Sequence, residues 1–187
     1  MALLGAIKSI TSRPRRLKEI AAALLLSSLL LPQPAAAASI KAVLEADGKF
    51  GIFAAALKKS GLWETLATRD PVTLFVVSDE AMQDEGSAFL LGTVLMTDAN
   101  QERLVALMSH HMLVGPEFSV EEVATEVTLN TSIGSCLLVY RLGSSLRVGP
   151  EAIVTEQVAV DNGNLYVIDR LLWQPWDEEG PCQTATH

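Results

Sequence analysis

"TLFVVSDEAM", residues 73–82, is the stretch that decides how this chain folds, because it joins an apolar strand to the start of a helix. With the valine before it, its first five residues form an apolar, β-branched run of the length of one strand. Ser78 then offers a side chain of the type that caps helices, and the acids Asp79 and Glu80 favour a helix start. The stretch therefore predicts a strand over Val72–Val77, followed at once by a helix.

Helical signals lie on both sides of this strand. Ser39 is placed to cap a helix over Ile40–Ala46, and residues 50–59 carry apolar side chains at the three-and-four spacing of one buried helix face. Gly61 stands where a glycine commonly ends a helix. Asp98 is placed to cap another helix. The sequence thus predicts a first half made mainly of helices.

Beyond residue 115 the apolar pattern changes to that of short strands. Ser119 and Glu122 form a predicted capping box for one brief helical segment. Six predicted strands follow, at residues 127–129, 136–142, 146–148, 153–155, 158–160 and 165–172. Asn162 and Gly163 give the strongest hairpin signal among the turns between them. Helices first and strands second predict an α+β domain rather than alternating βαβ units.

The first 38 residues have the order of an export signal, with a basic segment, an apolar run and small residues. The apolar run at residues 20–31 is shorter than the roughly 20 residues of a membrane span, so we expect no integral membrane anchor in the mature form. Cleavage is expected after Ala37 or Ala38, with release to the periplasm or the extracellular space. The arginine pair at residues 15–16 leaves twin-arginine export open beside ordinary secretion.

The rest of the chain is acidic and has the length of one domain. The formal net charge of the whole chain is −8 although the export signal is basic, so the mature protein is more acidic still. Such a charge repels phosphate backbones, and no basic patch interleaved with aromatic residues occurs, which argues against nucleic-acid binding. We expect one domain at residues 39–175 and an acidic polar tail at residues 176–187.

Cys136 and Cys182 are the two cysteines of the chain. In an oxidising compartment they can form a disulfide, which would close a long loop. An unpaired, half-buried Cys136 is the alternative, and the sequence leaves both open.

Trp176 is the residue of the tail that best fits a contact with another molecule. It follows Pro175, which cannot continue a strand ladder, and three acids follow it. We therefore expect its indole to be exposed, and exposed tryptophan is a frequent anchor of protein interfaces.

"LMSHHMLVG", residues 107–115, places two of the three histidines side by side. On a helix, His111 continues the buried stripe whereas His110 points about 100° away, so the two cannot converge on one metal ion. The sequence contains no nucleophile elbow, phosphate-binding loop or zinc-type histidine spacing. We predict no catalytic residue, no metal and no cofactor, and we interpret His111 as a hydrogen-bonded core histidine.

Three segments resemble the fasciclin-like domain family in order and spacing. "TLFVVSDEAM" resembles the family's first box, "LMSHHMLVG" its central Tyr-His segment, and "DNGNLYVIDRLLWQP", residues 161–175, its closing box. "VTLNTSIG", residues 127–134, stands where the family has a Thr-Leu-x-Gly strand. The positions that match the first and closing boxes are Ser78, Asp79, Asn162, Gly163, Ile168 and Asp169. His111 matches the central histidine, and His110 replaces the usual tyrosine.

The resemblance implies both a fold and a function. The fold is a β-wedge or sandwich of short strands packed with several short helices. The function is that of a secreted, non-enzymatic module for cell adhesion or for binding protein or matrix partners. Because the Tyr-His segment is implicated in receptor binding in animal members, the resemblance makes His110, His111, Met112 and Leu113 candidate binding residues. The tyrosine that animal members carry is absent here, so an integrin-type role is not expected.

Two other classes of function remain open at this point. A periplasmic carrier or sensor of a small apolar ligand would need an apolar pocket of a few hundred Å³ between sheet and helices. An enzyme would need titratable groups that converge on one site, and the sequence displays none.

Overall fold

The structure of the protein is a computed structural model that describes residues 37–46, 48–68, 71–84, 87–115 and 118–173. These residues belong to one unit, Ala36–His187. The predicted export signal up to residue 36 and the tail from residue 174, with Trp176 and Cys182, lie outside the described residues.

Short helices surround the first strand, as the sequence predicts. The helices are α1 (Ile40–Ala46), α2 (Gly51–Ser60), α3 (Thr65–Thr68), α4 (Asp79–Asp84), α5 (Ser87–Phe89) and α6 (Gln101–His110). A π-helical turn at Leu90–Val94 follows α5, and 3-10 turns lie at Asp98–Asn100 and Val120–Glu122. Ser39 Oγ accepts the Ala42 N–H at 3.3 Å at the start of α1, and Gly61 ends α2 with a φ of +81°. These two predicted helix ends are confirmed.

Two predicted caps are wrong. Asp98 does not cap α6; it forms a salt bridge with Lys59 of α2. Ser119 donates to the carboxylate of Glu121 instead of capping, and the segment after it is only a 3-10 turn. In both places the side chain that would have capped the backbone is directed toward a charged neighbour instead.

Seven strands form one mixed sheet, and they confirm the predicted α+β class. The strands are β1 (Val72–Val77), β2 (Met112–Val114), β3 (Glu126–Asn130), β4 (Cys136–Leu142), β5 (Ser145–Val148), β6 (Ala152–Val158) and β7 (Gly163–Ile168). Their order in the sheet is β2-β1-β7-β6-β5-β4-β3. β1 pairs with β7 in parallel, and every other neighbouring pair is antiparallel.

The predicted strands differ from the observed ones at two places. The strands predicted at residues 153–155 and 158–160 are largely one strand, β6, with a register shift between Val154 and Glu156. β2 was not predicted as a strand, because three residues are too few to show a period.

The curled sheet nearly closes into a barrel at its two edges. β1 lies deep in the core, with all six of its residues buried. At one edge, Met112 of β2 accepts a hydrogen bond from the Ser132 N–H at 2.8 Å, and Ser132 lies in the loop between β3 and β4 at the other edge. We call this meeting of the two edges the seam. It brings the histidine pair against a loop more than twenty residues further along the chain.

Candidate functional site

The histidine pair lies at the seam, where α6 ends and β2 begins. Both side chains are buried, with 5% of His110 and 0% of His111 exposed. They point to different partners, since His110 contacts Ser135 and His111 contacts Leu172. The prediction that they do not converge on a shared ion agrees with this geometry.

His111 joins three parts of the fold through its ring. Nδ1 lies 2.8 Å from the Leu107 carbonyl, and Nε2 accepts the Leu172 N–H at 3.0 Å. A carbonyl can only accept and a backbone N–H can only donate, so the ring is neutral with its proton on Nδ1. The ring also meets Phe53 of α2 edge-on, with 5.3 Å between centroids. Burial lowers the pKa of His111 to about 3, which keeps it neutral at physiological pH.

His110 is buried by a loop rather than by its own helix. Its Nδ1 lies 2.8 Å from Ser135 Oγ, which in turn lies 2.5 Å from Thr131 Oγ1. Burial lowers the pKa of His110 to about 4. The helical pattern predicted a side chain about 100° away from the buried stripe, but the structure buries it beneath residues 131–135. We call residues 131–135 the Ile133 loop.

The Ile133 loop is held in place by hydrogen bonds on both of its sides. Within the loop, the Gly134 N–H donates to the Thr131 carbonyl at 2.9 Å, and Gly134 has a φ of +80°. Toward α6, Ser132 Oγ donates to the Ser109 carbonyl at 2.9 Å. The tip residue, Ile133, points outward with 44% of its surface exposed. A rigid loop therefore presents one apolar side chain to solvent.

Met112 and Leu113, the other two candidate binding residues from the histidine segment, are also interior. Their exposed fractions are 0% and 7%. In this conformation Ile133 of the loop is exposed to solvent, whereas the segment itself is not. Sequence reasoning missed Ile133, although a lone apolar residue between Ser132 and Gly134 was a usable signal.

The matched residue of the first box, Asp79, caps α2. Its Oδ1 accepts the Ile52 N–H at 2.9 Å, and its Oδ2 accepts the Gly51 N–H at 3.1 Å. Ser78 caps α4 by accepting the Ala81 N–H at 3.2 Å. The two side chains together fix the helices on either side of β1, so the box forms part of the scaffold.

The residues of the closing box also stabilise the scaffold. Asn162 accepts the Ile40 N–H and donates to the Leu66 carbonyl, both at 2.9 Å, so it ties α1 to α3. Asp169 accepts the Ile153 N–H at 2.7 Å and binds β6 to the end of β7. Ile168 is fully buried at the end of β7, where it pairs with Val77.

Gly163 lies against β1 more closely than any side chain allows. A Cβ atom added there would stand 1.9 Å from the Val72 carbonyl oxygen, and the residue has a φ of +141°. Glycine at this position permits the start of the parallel pairing between β1 and β7.

Cys136, at the start of β4, is disulfide-bonded. Cys182 is the other cysteine of the chain and lies outside the described residues. The pairing of the two therefore stays a prediction.

The described part of the chain contains open grooves with polar linings. One, of about 570 Å³, is lined by residues 98–103, and another, of about 470 Å³, includes Lys49, Asp79, Glu80 and Glu156. Both are lined mainly by polar and charged side chains, which does not favour an apolar ligand. No group of three or more metal-binding side chains occurs among the described residues. No described helix has the length and apolar character to cross a membrane.

Comparison with known proteins agrees with the fold. Protein sll1483 of Synechocystis is 26% identical over 141 residues, which cover 74% of this chain and 75% of that protein. The pig (Sus scrofa) transforming growth factor-beta-induced protein ig-h3 is 29% identical over 134 residues, and the match spans 71% of this chain but only 19% of that protein. In solved structures, a FAS1 domain pair from the insect cell adhesion molecule fasciclin I matches with a TM-score of 0.62 at 19% identity. That match covers 73% of this chain and 51% of the other. The family described as the fasciclin domain matches residues 48–175, and the chain therefore belongs to the fasciclin domain family.

Proposed function

We propose that this protein is an exported, non-enzymatic module for adhesion, which binds a protein or matrix partner through the Ile133 loop. The observation that carries the proposal is an exposed apolar side chain on a loop that the buried histidine segment holds rigid. A loop fixed by a rigid scaffold is the usual place for a binding residue, because little conformational entropy is lost when the partner docks.

The contacts of the histidines support a binding module rather than an enzyme. Both rings are buried and hydrogen-bonded to groups of the protein itself, and burial lowers both pKa values far below neutrality. Neither ring is placed to move a proton to or from a bound substrate. The insect relative of similar fold is a cell adhesion molecule, which fits the same class of function.

The Ile133 loop is tested by replacing its apolar tip. Ile133→Ser is expected to lower the amount of partner captured from the exported fraction by about tenfold, since an interface anchor contributes more than about 1.4 kcal/mol. The immobilised mature protein serves as bait, and retained protein and polysaccharide are quantified.

The matched control is Phe89→Ser. Phe89 is 67% exposed on α5, so this variant also removes an exposed apolar side chain. It is expected to capture as much partner as the unchanged protein does. Unchanged capture by Ile133→Ser, with or without a loss in Phe89→Ser, would refute the loop as the binding surface.

Trp176 remains a proposed second contact. As an aromatic residue among acids it has the composition of an interface anchor, and the same capture experiment with Trp176→Ala measures its share.

Export is tested at the mature N-terminus. Sequencing of the released protein is expected to begin at Ala38 or Ser39. Either start preserves the Ser39 hydroxyl that caps α1, and a start at Ala38 also preserves the hydrogen bond from the Asp161 N–H to the Ala38 carbonyl, 3.2 Å long. A stable membrane-bound product that still carries Met1 would contradict the proposal.

A further inference from the structure

We propose that β3 pairs with β3 of a second copy of this chain, so that the two seven-stranded sheets join into one continuous sheet. The two strands run antiparallel, and Thr128 of one copy stands opposite Thr128 of the other. The pairing uses a different surface from the tip of the Ile133 loop and does not depend on what that loop binds.

β3 is an edge strand of the sheet, with β4 as its neighbour on one side. In an antiparallel pair, every second residue turns its backbone groups toward the neighbouring strand. The Thr131 N–H donates to the Ser135 carbonyl in the register of β3 and β4, so the odd-numbered residues of β3 are the ones that bond to β4. The even-numbered residues turn their backbone N–H and C=O groups to the outer side of the sheet, and they are Glu126, Thr128 and Asn130.

These outward-facing backbone groups have no hydrogen-bond partner in the part of the chain that the structure describes. The side chains of the same three residues are exposed. At the seam, the hydrogen bond to β2 comes from Ser132, which lies beyond the end of β3. The outer side of β3 can therefore accept and donate hydrogen bonds to a further strand.

β3 lacks the features by which proteins protect an exposed edge. Protected edges carry lysine, proline or a β-bulge, or are very short. β3 contains neither lysine nor proline, and it pairs with β4 in an unbroken register over all five of its residues. The other edge strand, β2, has only three residues. Of the two edges, β3 is therefore the one that favours the addition of a strand.

The sequence of β3 is complementary to itself when it is read in the opposite direction. With Thr128 opposite Thr128, Glu126 stands opposite Asn130 and Val127 opposite Leu129. Among antiparallel registers of β3 with itself, only this one pairs all the outward-facing residues with each other. It separates the two glutamates, sets threonine beside threonine and brings half-buried apolar side chains together, all of which are favourable across strands. These pairs favour a second copy over an unrelated strand.

The antiparallel direction also keeps like charges apart in a protein that is acidic as a whole. Glu121 and Glu122 are exposed just before β3, whereas the Ile133 loop just after it carries no charged residue. In the pair, the acids of one copy lie at the end of β3 where the other copy has its uncharged loop. Association through β3 therefore brings no two acidic segments together.

A dimer of this kind carries its two Ile133 loops at opposite ends of the interface, because each loop follows the end of its own β3. Two binding loops on one particle can contact a partner surface at the same time, which raises the overall affinity without any new contact. This consequence rests on the function proposed above, whereas the pairing of the strands does not.

The backbone pairing is tested by sedimentation equilibrium of the mature protein over a range of concentrations. The mass is expected to approach that of two chains, since one edge of each copy is used and the pair is closed. Thr128→Pro removes an N–H that faces outward and does not bond to β4, so we expect a folded domain that dimerises more than about tenfold more weakly. Thr128→Val keeps this N–H and is expected to dimerise as the unchanged protein does.

Circular dichroism checks that each variant is folded, and a non-reducing denaturing gel of the unchanged protein is expected to show single chains. A mass of one chain at every concentration would overturn the proposal. A dimer that folded Thr128→Pro leaves equally stable, or a dimer that the gel shows to be joined by a disulfide, would overturn it too.

The register is tested by charge, because Thr128 faces its own copy. Thr128→Lys and Thr128→Glu each set like charges opposite one another, and each is expected to weaken dimerisation by at least about fivefold. Mixed in equal amounts, the two variants are expected to form a heterodimer, since opposite charges then face each other. Ile133→Ser is expected to dimerise normally, so loss of the dimer and loss of partner capture are separate results. A mixture that associates no better than either variant alone would overturn the proposal.

Discussion

Gly163→Ala is expected to abolish the native fold. The new methyl group would stand 1.9 Å from the Val72 carbonyl oxygen, a distance that no pair of unbonded atoms can adopt, and the backbone φ of +141° is itself unfavourable for alanine. Relief requires β7 to move away from β1, which breaks the parallel pairing that joins β1 and β2 to the other five strands. We expect a loss above about 4 kcal/mol, a large part of the stability of a typical domain. Circular dichroism and thermal melting measure it.

Gly61→Ala is the matched control for this prediction. Gly61 also has a positive φ, of +81°, but a Cβ atom there would meet no other atom within 4 Å. Gly61→Ala is expected to lower the free energy of unfolding by about 1–2 kcal/mol, because the left-handed backbone is its only unfavourable feature. Similar melting temperatures for the two variants would contradict the explanation that Gly163 must be glycine because it lies so close to β1.

His111→Ala is expected to destabilise the protein by about 3–5 kcal/mol. It removes a buried ring, leaves a cavity beside Phe53, and deprives the Leu172 N–H and the Leu107 carbonyl of their partner. For a domain of this size the melting temperature should fall by roughly 6–20 °C.

His110→Ala is the comparison, with an expected loss of about 1–3 kcal/mol. It removes one hydrogen bond, and Ser135 keeps Thr131 as a partner. The variant also tests the Ile133 loop, because losing this support should weaken capture of the partner as well. An equal or larger loss of stability in His110→Ala than in His111→Ala would contradict the assignment of His111 as the main link.

The same histidine makes stability depend on pH. The pKa of His111 falls from an ordinary 6.5 to about 3 on folding, because burial disfavours the charged ring. The contribution of neutral His111 to the free energy of unfolding is therefore complete above pH 6.5. It is lost as the pH falls from 6.5 toward 3, because in that range only the unfolded chain binds a proton at this residue. Between pH 7 and pH 5 the unchanged protein should lose about 2 kcal/mol more than His111→Ala does. Denaturant titrations at the two pH values measure the difference.

Local features of the sequence predicted the elements well. The strand β1 follows from a run of six residues of which five are apolar, and the ends of α1 and α2 follow from Ser39 and Gly61. These predictions hold because each depends on neighbours within a few residues. The fold class followed from the order of such elements, and the three matched boxes identified the family.

Features that depend on distant parts of the chain were not predictable in the same way. His110 is buried only because Ser135, twenty-five residues later, closes over it. Asp98 carries a good capping side chain, but Lys59 of α2 lies close enough to bind it. Asp79 caps α2 although it lies 28 residues after Gly51, the first residue of that helix. Capping patterns in a sequence identify only caps that stand directly before their helix. In each case tertiary contact overrides the local preference.

The pairing of β1 with β7 sets the order of events during synthesis. The two neighbours are separated by more than eighty residues, so β1 cannot acquire this partner until the last strand has left the ribosome. Until then a strand with five apolar residues out of six lacks one of its two neighbours, and such strands aggregate readily or bind chaperones. The export proposed above would use this delay, because a chain whose sheet is incomplete stays unfolded long enough to pass through a translocation channel. Premature termination anywhere before Gly163 would yield a product with no route to the native sheet.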